Sequence, residues 1–341
     1  MFARHAITDA TRRSYAAARK RYSEWCLSRK LSPLPSHLTP IMAASWLASL
    51  GTAGVLRSRT IHVYSSSLSS WFVEDTLTDG PNPLKSIAVQ RVLRGIDKHH
   101  RAAEIQMRAE RPATIELTPA LLLCLEEFAR PVGCGPDDYM RWAAALTGTY
   151  GFLRPSEFLG SAQHRSRALR VDQVRFFATA TSPLPCLLLP PGNDVDSRPF
   201  PDHFVIALEM TKADQKATNE PVPIAAAPAV RGMWRWMHIR RDLGLADSAP
   251  VFCLPSGAPL SCTALTRSIT TWLTRFGVID PVVKGRTFRR GGASALMASG
   301  ADRSDVAEAG RWRSERMVEV YANTASKRAR RLEQMRRMDP Q

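Results

Sequence analysis

Cysteine pairs, long apolar runs and acidic residues are scarce in this sequence of 341 residues. The six cysteines are scattered, with no C-x-x-C pair and no histidine at metal-ligand spacing, which argues against a zinc ribbon and a secreted disulfide framework. No apolar run approaches the roughly 18 residues that span a bilayer. MFARHAITDATRRSY at the amino end lacks an apolar core of signal-peptide length. We therefore expect an intracellular protein with reduced thiols and no membrane association.

The shortage of acidic residues leaves a large positive charge. Lys and Arg number 47 against 31 Asp and Glu, so the formal net charge is +16 and the isoelectric point is near 10.2. A basic protein gains affinity for a polyanion because each neutralised phosphate releases condensed counterions. The composition favours nucleic acid as the partner, and a basic enzyme or a binder of anionic membranes is the alternative.

Residues 1–110 are predicted to form a helical domain. The segment TDATRRSYAAARKRYSEWCLSRK places one apolar stripe at helical spacing, with Arg and Lys opposite; the stripe comprises Tyr15, Ala18, Tyr22, Trp25 and Cys26. Three more helical segments follow to about Ala103, and one begins with the Thr39–Pro40 start signal. Their basic faces are ordinary solvated surfaces or, since the charges are mostly of one sign, a phosphate-facing surface.

Residues 111–341 are predicted to form a second domain. A charged, proline-containing stretch, AEIQMRAERPATIELTP, has no periodic face and is interpreted as the linker, with the boundary near Arg111. Helices follow, then short β-branched runs between about Ala168 and Ala225, and helices again from Val230. The fold class expected for the chain is therefore mainly α with a small β-sheet, an α+β fold.

Two segments of the second domain carry isolated cations. In TGTYGFLRPSEFLG, Arg154 stands at a helix start with Glu157 three residues on, which is also a common way to cap a helix. In ALEMTKADQKATNEPVPI, Lys212 stands where a strand enters a turn, a position where lysine often protects a sheet edge. Neither signal is specific by itself.

A third segment, KGRTFRRGGASALMASGADRSDVAEAGRWRSERMVEVYA, is richer. Arg286 and Arg289 are three residues apart, so on a helix their guanidiniums would share a face and repel unless an anion lay between them. The planar fork of arginine binds phosphate oxygens in pairs. Trp312 follows, and Tyr321 comes nine residues after Trp312.

Taken in order, these residues resemble the tyrosine recombinase (phage integrase) superfamily, whose members carry Arg, Lys, His-x-x-Arg, His or Trp, and Tyr. The resemblance implies Arg154 and Arg289 as the two arginines, Lys212 as the hairpin lysine and Trp312 at the His/Trp position. It implies Tyr321 as the nucleophile and Glu157 as the acidic residue that supports the site. It also implies a helical core-binding, SAM-like domain over 1–110 that binds DNA, and a catalytic domain over 111–341 that ends in a tail helix.

The sequence departs from this pattern at Arg286, where the family usually has histidine. An arginine can donate hydrogen bonds to a phosphate, but its pKa above 12 makes it a poor general base. The family's proposal that this position helps to take the tyrosine's proton is therefore in doubt. The variants FRRGGASAL and TKADQ also resemble a subset carried by mobile elements, including the eukaryotic Crypton-type DNA transposons.

The resemblance implies cleavage and rejoining of double-stranded DNA through a 3′-phosphotyrosyl intermediate, without cofactor or metal. Lys212 is the expected general acid, and Lys216 replaces it if the turn is placed differently. The active assembly is expected to be a tetramer at the synapse, with a monomer or dimer when free. In a eukaryote the protein is expected in the nucleus, and otherwise in the cytoplasm or nucleoid. Relaxation of DNA by a type IB topoisomerase and DNA binding without catalysis remain as alternatives.

The basic tail ASKRARRLEQMRRM generates one prediction. Leu332 and Met335 lie three apart among basic residues, and the family's last helix often docks on a neighbouring subunit. Deleting the residues after Thr324 should leave binding to a single DNA site intact but impair pairing of two sites. Gel-shift stoichiometry measures both, and a loss of single-site binding would show instead that the tail contacts DNA or supports the fold.

Overall fold

The computed structural model describes residues 9–76, 80–109, 114–160, 168–188, 200–208, 221–312 and 314–321, apart from the side chains of several residues at helix ends, Tyr321 among them. By its internal contacts the chain divides into two compact units, Met1–Arg111 and Pro112–Gln341. None of the helices in the described ranges is long and apolar enough to cross a membrane.

The described residues of the first unit form helices joined by turns, with no strand among them. Its helices are α1 (Asp9–Ser28), α2 (Pro40–Thr52), α3 (Ser58–Thr76) and α4 (Ile87–Ala109). Helix α2 begins as predicted, because the Thr39 side chain accepts a hydrogen bond of 3.2 Å from the Met42 backbone N–H and Pro40 occupies the first turn. The first part of the expected linker, up to Ala109, is instead the end of α4, so the linker was predicted to begin too early, while the chain does divide at Arg111. The apolar residues of this stretch lack a clear helical period, but the chain is still helical because Ala, Glu, Gln, Met and Arg all have high helix propensity.

The core of the first unit is built on the predicted stripe of α1. Ala18, Tyr22 and Cys26 are fully buried, and the Tyr22 ring meets the Trp46 indole of α2 edge-on at a centroid distance of 5.3 Å. Helices α2 and α4 approach closely at Gly51, where a Cβ would lie 2.7 Å from the Ile96 side chain. The bundle therefore buries its apolar faces inward and leaves the charged faces of its helices to solvent.

The second unit combines helices with one small sheet. Its helices are α5 (Pro119–Ala129), α6 (Pro136–Tyr150), α7 (Pro155–Phe158), α8 (Ala227–Asp242), α9 (Cys262–Arg275), α10 (Thr287–Ala298), α11 (Arg303–Ala309) and α12 (Arg316–Tyr321). Its strands are β1 (Val174–Phe177), β2 (His203–Ala207) and β3 (Pro221–Ile224). The predicted fold class, mainly α with a small sheet, is confirmed.

The sheet is antiparallel, in the order β1-β2-β3 among the described residues. Val174 pairs with Ile206, and Phe204 pairs with Ile224. These side chains are buried against the helices, and the alternate positions are more exposed, as expected for a sheet covered on one face. The apolar run PCLLLP, also predicted as a strand, forms only an isolated bridge between Cys186 and Phe176 within its described residues.

Helix α6 is the centre of the second unit's core. Its residues from Trp142 to Thr149 are buried, and it packs against α5, α8, α9 and α10. Phe158 of α7 and Phe288 of α10 meet edge-on over this core at 6.2 Å. The two segments that carry Arg154 and Arg289 are thereby anchored to one another by packed aromatic rings.

The start of the second unit is tied to α10. Arg290 donates a hydrogen bond of 2.6 Å to Glu116 Oε1, and the Ser294 hydroxyl donates one of 2.8 Å to Glu116 Oε2. Gly291 lies between these two residues, and a Cβ there would stand 2.0 Å from the Leu117 carbonyl oxygen. Only glycine lets the backbone of 114–117 approach the helix so closely.

Because this contact is with rigid backbone, the fold generates a prediction. Gly291→Ala should lower the free energy of unfolding by more than about 2 kcal/mol, since Leu117 cannot move away as a flexible side chain would. The matched control is Gly95→Ala in α4, where a Cβ meets no atom within 4 Å and stability should rise by about 0.5–1 kcal/mol. Urea unfolding measures both, and equal effects of the two substitutions would contradict the assigned close approach.

Candidate active site

Arg154 and Glu157 form the first part of the site at the start of α7. After α6 the chain turns through Gly151 and Phe152, the latter in the left-handed region with φ 51°. The Arg154 backbone N–H then donates to Glu157 Oε2 at 2.8 Å, and its Nη1 donates to Oε1 at 2.6 Å. One carboxylate therefore caps the helix and fixes the arginine's guanidinium, as the sequence suggested.

Arg289 approaches the same carboxylate from α10. Its side chain is 1% exposed, and its Nη1 lies 3.8 Å from Glu157 Oε2. Nη1 also donates to the Phe152 carbonyl at 3.2 Å, and Nη2 donates to the Gly310 carbonyl. Arg286 precedes the first residue of α10 and is exposed. The two arginines of R-T-F-R therefore do not share an environment, because α10 begins at Thr287 and turns Arg289 into the interior.

Trp312 covers the Arg289 guanidinium. The indole centroid lies 4.6 Å from Arg289 Cζ, a distance at which a cation is attracted to the face of an aromatic ring. The indole also lies against Gly310, where a Cβ would be 2.0 Å from the ring. Trp312 belongs to a small apolar cluster with Ala293, Val306 and Val318. The structure thus brings together the predicted Arg154, Glu157, Arg289 and Trp312.

A further arginine at this place was not found by sequence reasoning. Arg311 Nη2 donates to Glu157 Oε2 at 3.4 Å and its Nη1 donates to the Gly151 carbonyl at 3.3 Å. Its side chain is 8% exposed. The sequence held a weak signal, namely an arginine between the helix-ending Gly310 and Trp312, but nothing in the sequence shows that its side chain turns inward.

The balance of charge at the site is positive. Among the described residues, the Glu157 carboxylate is paired with the guanidiniums of Arg154, Arg289 and Arg311. Three positive charges against one negative charge leave a surplus of two. Arg154, at 25% side-chain exposure, is the most accessible of the three. An anion that binds here contacts Arg154 first. The buried guanidiniums of Arg289 and Arg311 add to the positive electrostatic potential that the anion experiences.

Helix α12 packs against the cluster around Trp312 and ends at Tyr321. Val318 of α12 is fully buried in the cluster around Trp312, and Glu319 pairs with Arg303 of α11 at 2.9 Å. Tyr321 is the last residue of α12, and its side chain lies outside the described part of the chain. Its role as nucleophile therefore stays a prediction, and so do the roles of Lys212 and Lys216, which also lie outside the described residues.

Metal ligands do not cluster in the described ranges. No group of three or more His, Cys, Asp or Glu side chains in residues 9–321, apart from the gaps already named, is arranged to hold a metal ion. The polar groups that converge on the described site are guanidiniums and backbone carbonyls around one carboxylate. The site's chemistry is therefore that of fixed positive charge.

The first unit offers a second basic surface. Helix α4 exposes basic residues at intervals of three, four and three positions, so they lie on one face of the helix; they are Arg91, Arg94, Lys98 and Arg101. Asp97 lies beside this stripe, where the hydrogen bond from the Ser58 hydroxyl, together with His62, lowers the pKa of its carboxyl. The exposure of this stripe fits both a solvated surface and the phosphate-facing surface that the sequence favours, so contact with phosphates stays a prediction.

Comparisons with known proteins place the fold. No protein-family model and no curated protein matches the chain. XerH site-specific recombinase bound to a palindromic difH substrate, in a post-cleavage complex, matches with a TM-score of 0.62 and 13% identity over 94% of this chain and 78% of that one. The Tn1549 transposon integrase in complex with transposon right-end DNA matches at 0.54 and 14%, over 97% and 95%. A lambda integrase dimer bound to a COC′ core site matches at 0.53 and 14%, over 93% and 90%. The chain therefore has the fold of these recombinases and integrases.

The buried carboxylate generates a prediction. Glu157→Gln should lower the free energy of unfolding by about 3–5 kcal/mol, because it leaves three buried or half-buried guanidiniums without their counter-charge. Phosphate in the buffer should restore part of the loss, since an anion replaces the missing charge. Denaturant unfolding with and without phosphate measures both effects.

Glu319→Gln is the matched control, because it removes the carboxylate of a solvent-exposed ion pair with Arg303. Its effect should stay within about 0.5 kcal/mol. A Glu157→Gln variant as stable as the parent, or one that is indifferent to phosphate, would contradict the charge balance described for the site.

Proposed function

We propose that this protein is a tyrosine recombinase, an enzyme that cleaves and rejoins strands of double-stranded DNA to move or recombine DNA segments. One observation carries the proposal. On a recombinase fold, arginines from three separate segments converge on one buried carboxylate, beside the helix that ends in Tyr321. The solved proteins of the same fold bind recombination sites or transposon ends, which supports DNA as the substrate.

The reaction begins when the Tyr321 oxygen attacks the phosphorus of a DNA phosphodiester. The bond between tyrosine oxygen and phosphorus forms while the bond from phosphorus to the 5′-oxygen breaks. The phenol loses its proton, and a 3′-phosphotyrosyl link and a free 5′-hydroxyl result. The link conserves the energy of the phosphodiester, so attack by another strand's 5′-hydroxyl reverses the step and joins the new partner.

The arginines lower the barrier by charge. Negative charge grows on the non-bridging oxygens as the phosphorus becomes five-coordinate, and fixed cations stabilise it without reorganising. Arg154 is the guanidinium that contacts the phosphate, because it is the most accessible of the three paired with Glu157. Arg289 and Arg311 support it from the interior, and the exposed Arg286 adds a donor. The same positive field favours the tyrosinate form of the nucleophile.

The remaining roles come from the order of residues along the chain. Lys212, or Lys216 in its place, protonates the leaving 5′-oxygen. Trp312 packs over Arg289 and holds it in place. Arg286, at the position where the family has histidine, is too weak a base to accept the phenol proton. That proton therefore passes to solvent or to the phosphate.

The basic faces of the first unit bind duplex DNA. The stripe on α4 supplies cations at the spacing of one helical face, which suits the phosphate backbone. We assign residues 1–110 to DNA binding and 111–341 to catalysis. The working assembly is a tetramer of this chain on two DNA sites, and the free protein is a monomer or dimer. The likeness of FRRGGASAL to mobile-element recombinases favours transposition.

The experiment that tests the proposal traps the covalent intermediate. Duplexes with a randomised segment carry a nick a few nucleotides beyond each candidate phosphate, so that cleavage releases a short fragment and leaves the protein attached. Denaturing capture of the protein and sequencing of the attached DNA identify the substrate. The parent chain should form adducts on selected sequences, and Tyr321→Phe should form none while binding the same DNA.

Tyr139→Phe is the matched control, because it removes a hydroxyl from another tyrosine of the same unit, one whose ring lies against Arg130; it should form adducts like the parent. Adducts that persist in Tyr321→Phe would refute the assignment. Binding without any adduct in the parent would show a DNA-binding factor that has lost catalysis. Relaxation of a supercoiled plasmid without joining of two sites would favour topoisomerase activity.

A further inference from the structure

Arg311 occupies a backbone position that normally belongs to glycine. It follows α11, and its φ of 52° lies in the left-handed region. The Trp312 N–H donates to the Ala307 carbonyl at 2.8 Å and the Arg311 N–H donates to the Glu308 carbonyl at 2.8 Å. This pair of hydrogen bonds closes a helix with its residue C′ in the left-handed conformation, which is usually glycine. An arginine at C′ is strained by comparison.

The glycine of this turn stands one residue earlier, for a different reason. Gly310 has an ordinary φ of −83°, so its backbone does not require glycine. Its missing Cβ makes room for the Trp312 indole, which would otherwise overlap it at 2.0 Å. The turn therefore uses glycine to seat the tryptophan and places a strained arginine where glycine would relieve the backbone. Lys30 holds the same C′ position after α1 with φ 57°, but its side chain is exposed. What distinguishes Arg311 is therefore not its backbone conformation alone but the path of its side chain.

The Arg311 side chain runs inward to the carboxylate that holds the other arginines. Its two terminal nitrogens reach the Gly151 carbonyl at 3.3 Å and Glu157 Oε2 at 3.4 Å. Arg289 Nη1 approaches the same Oε2, at 3.8 Å, while Oε1 accepts the bond of 2.6 Å from Arg154. Arg311 thus adds a second hydrogen bond to Oε2, beside the one of 2.8 Å from the Arg154 backbone N–H, and helps to keep Oε1 directed at the Arg154 side chain.

Contact with Gly151 adds a second constraint. Gly151 ends α6, and two residues separate it from Arg154. The planar guanidinium of Arg311 donates to Gly151, which precedes Arg154 in the chain, and to Glu157, which follows it. It therefore bridges the turn that contains Arg154. A planar fork with fixed donors suits this bridge better than the single ammonium of lysine.

We propose that Arg311 is a positioning residue, which fixes Glu157 and through it orients the Arg154 guanidinium toward the DNA phosphate. This role rests on the proposed function. Arg311 itself does not touch DNA, because its side chain is 8% exposed and both contacts named above are internal. It is not one of the arginines expected from the family pattern, which are Arg154 and Arg289.

The competing explanation is that Arg311 is a strut that only holds the turn together. The two explanations differ for Arg311→Gly. A strut's removal unfolds or loosens the unit. A positioning residue's removal relieves backbone strain and some charge repulsion, leaves the protein folded and slows the reaction. Arg311→Lys keeps the positive charge and the backbone strain but loses the planar guanidinium with its paired donors.

The test compares Arg311→Gly and Arg311→Lys with Arg130→Ala. Arg130 is a matched control, because it is a part-buried arginine of the same unit paired with one carboxylate, Glu126, and α5, which it follows, carries no site residue. On the duplex selected with the parent chain, the adduct-forming rate at saturating protein should fall about 10- to 100-fold in Arg311→Gly. It should fall by an intermediate factor in Arg311→Lys and less than about threefold in Arg130→Ala.

Two further readouts separate positioning from support. DNA affinity should change less than about threefold in Arg311→Gly, and its melting temperature should stay within about 3 °C of the parent. In an Arg154→Ala background the Arg311→Gly substitution should cost less than about threefold more, because the residue through which it acts is already gone.

A readout without DNA keeps the inference separate from the proposed function. In arginine-labelled protein, the guanidinium NMR signals assigned to Arg154 by their loss in Arg154→Ala should broaden or shift in Arg311→Gly and stay unchanged in Arg130→Ala. This result supports positioning even if the parent chain forms no adduct, an outcome that would overturn only the proposed function.

Three results would overturn the positioning role. The first is an Arg311→Gly variant that cleaves at the parent's rate. The second is an Arg154 NMR signal that Arg311→Gly leaves unchanged. The third is an Arg311→Gly variant that unfolds while Arg311→Lys folds and cleaves normally, since that outcome identifies a strut in which only a side-chain cation matters.

Discussion

The buried carboxylate of Glu157 is the interaction on which the rest of the site depends. It is 3% exposed, and within the described residues it meets guanidiniums from the start of α7, from α10 and from the turn before Trp312. Like charges so close together would repel without it, and the three segments are distant in sequence. One negative charge therefore assembles the site and leaves it positive, which suits a doubly esterified phosphate whose charge grows during the reaction.

Backbone constraints make this convergence possible. Gly291 and Gly292 let α10 pass against the Leu117 and Thr149 carbonyls, and Gly310 gives the Trp312 indole its place. Phe152 and Arg311 both have backbones in the left-handed region. Strain of this kind persists where surrounding contacts over-determine it and concentrates at functional sites. Two of the four non-glycine residues with positive φ in the described chain lie at the turns whose groups bond Arg289, Arg311 and Glu157, and the other two, Lys30 and Asp280, lie elsewhere.

Much of the fold could be predicted from the sequence, because the spacing of apolar residues and the signals that start a helix are local properties. The Tyr22 stripe, the Thr39–Pro40 start and the sheet between 168 and 225 all follow from such patterns. The extension of α4 to Ala109 was missed, because helix-forming residues continued after the apolar period had faded. For the site, order along the chain predicted Arg154, Glu157, Arg289 and Trp312, and the structure places them together, while their catalytic roles stay predictions. The order could not show that Arg289 is buried while Arg286 is exposed, since that depends on where α10 begins. The order could not identify Arg311 either. Its proposed role depends on a left-handed backbone conformation that glycine usually adopts, whereas the glycine of this turn, Gly310, stands one residue earlier.

The central claim is that guanidiniums gathered from distant parts of the chain direct one tyrosine oxygen onto a DNA phosphorus. Mass spectrometry of the trapped protein–DNA adduct after nuclease and trypsin digestion tests it most directly. The account predicts a residual nucleotide, joined through its 3′-phosphate, on the peptide Met317–Lys327, whose one tyrosine is Tyr321. A nucleotide on any other peptide, or one joined through its 5′-phosphate, would contradict it.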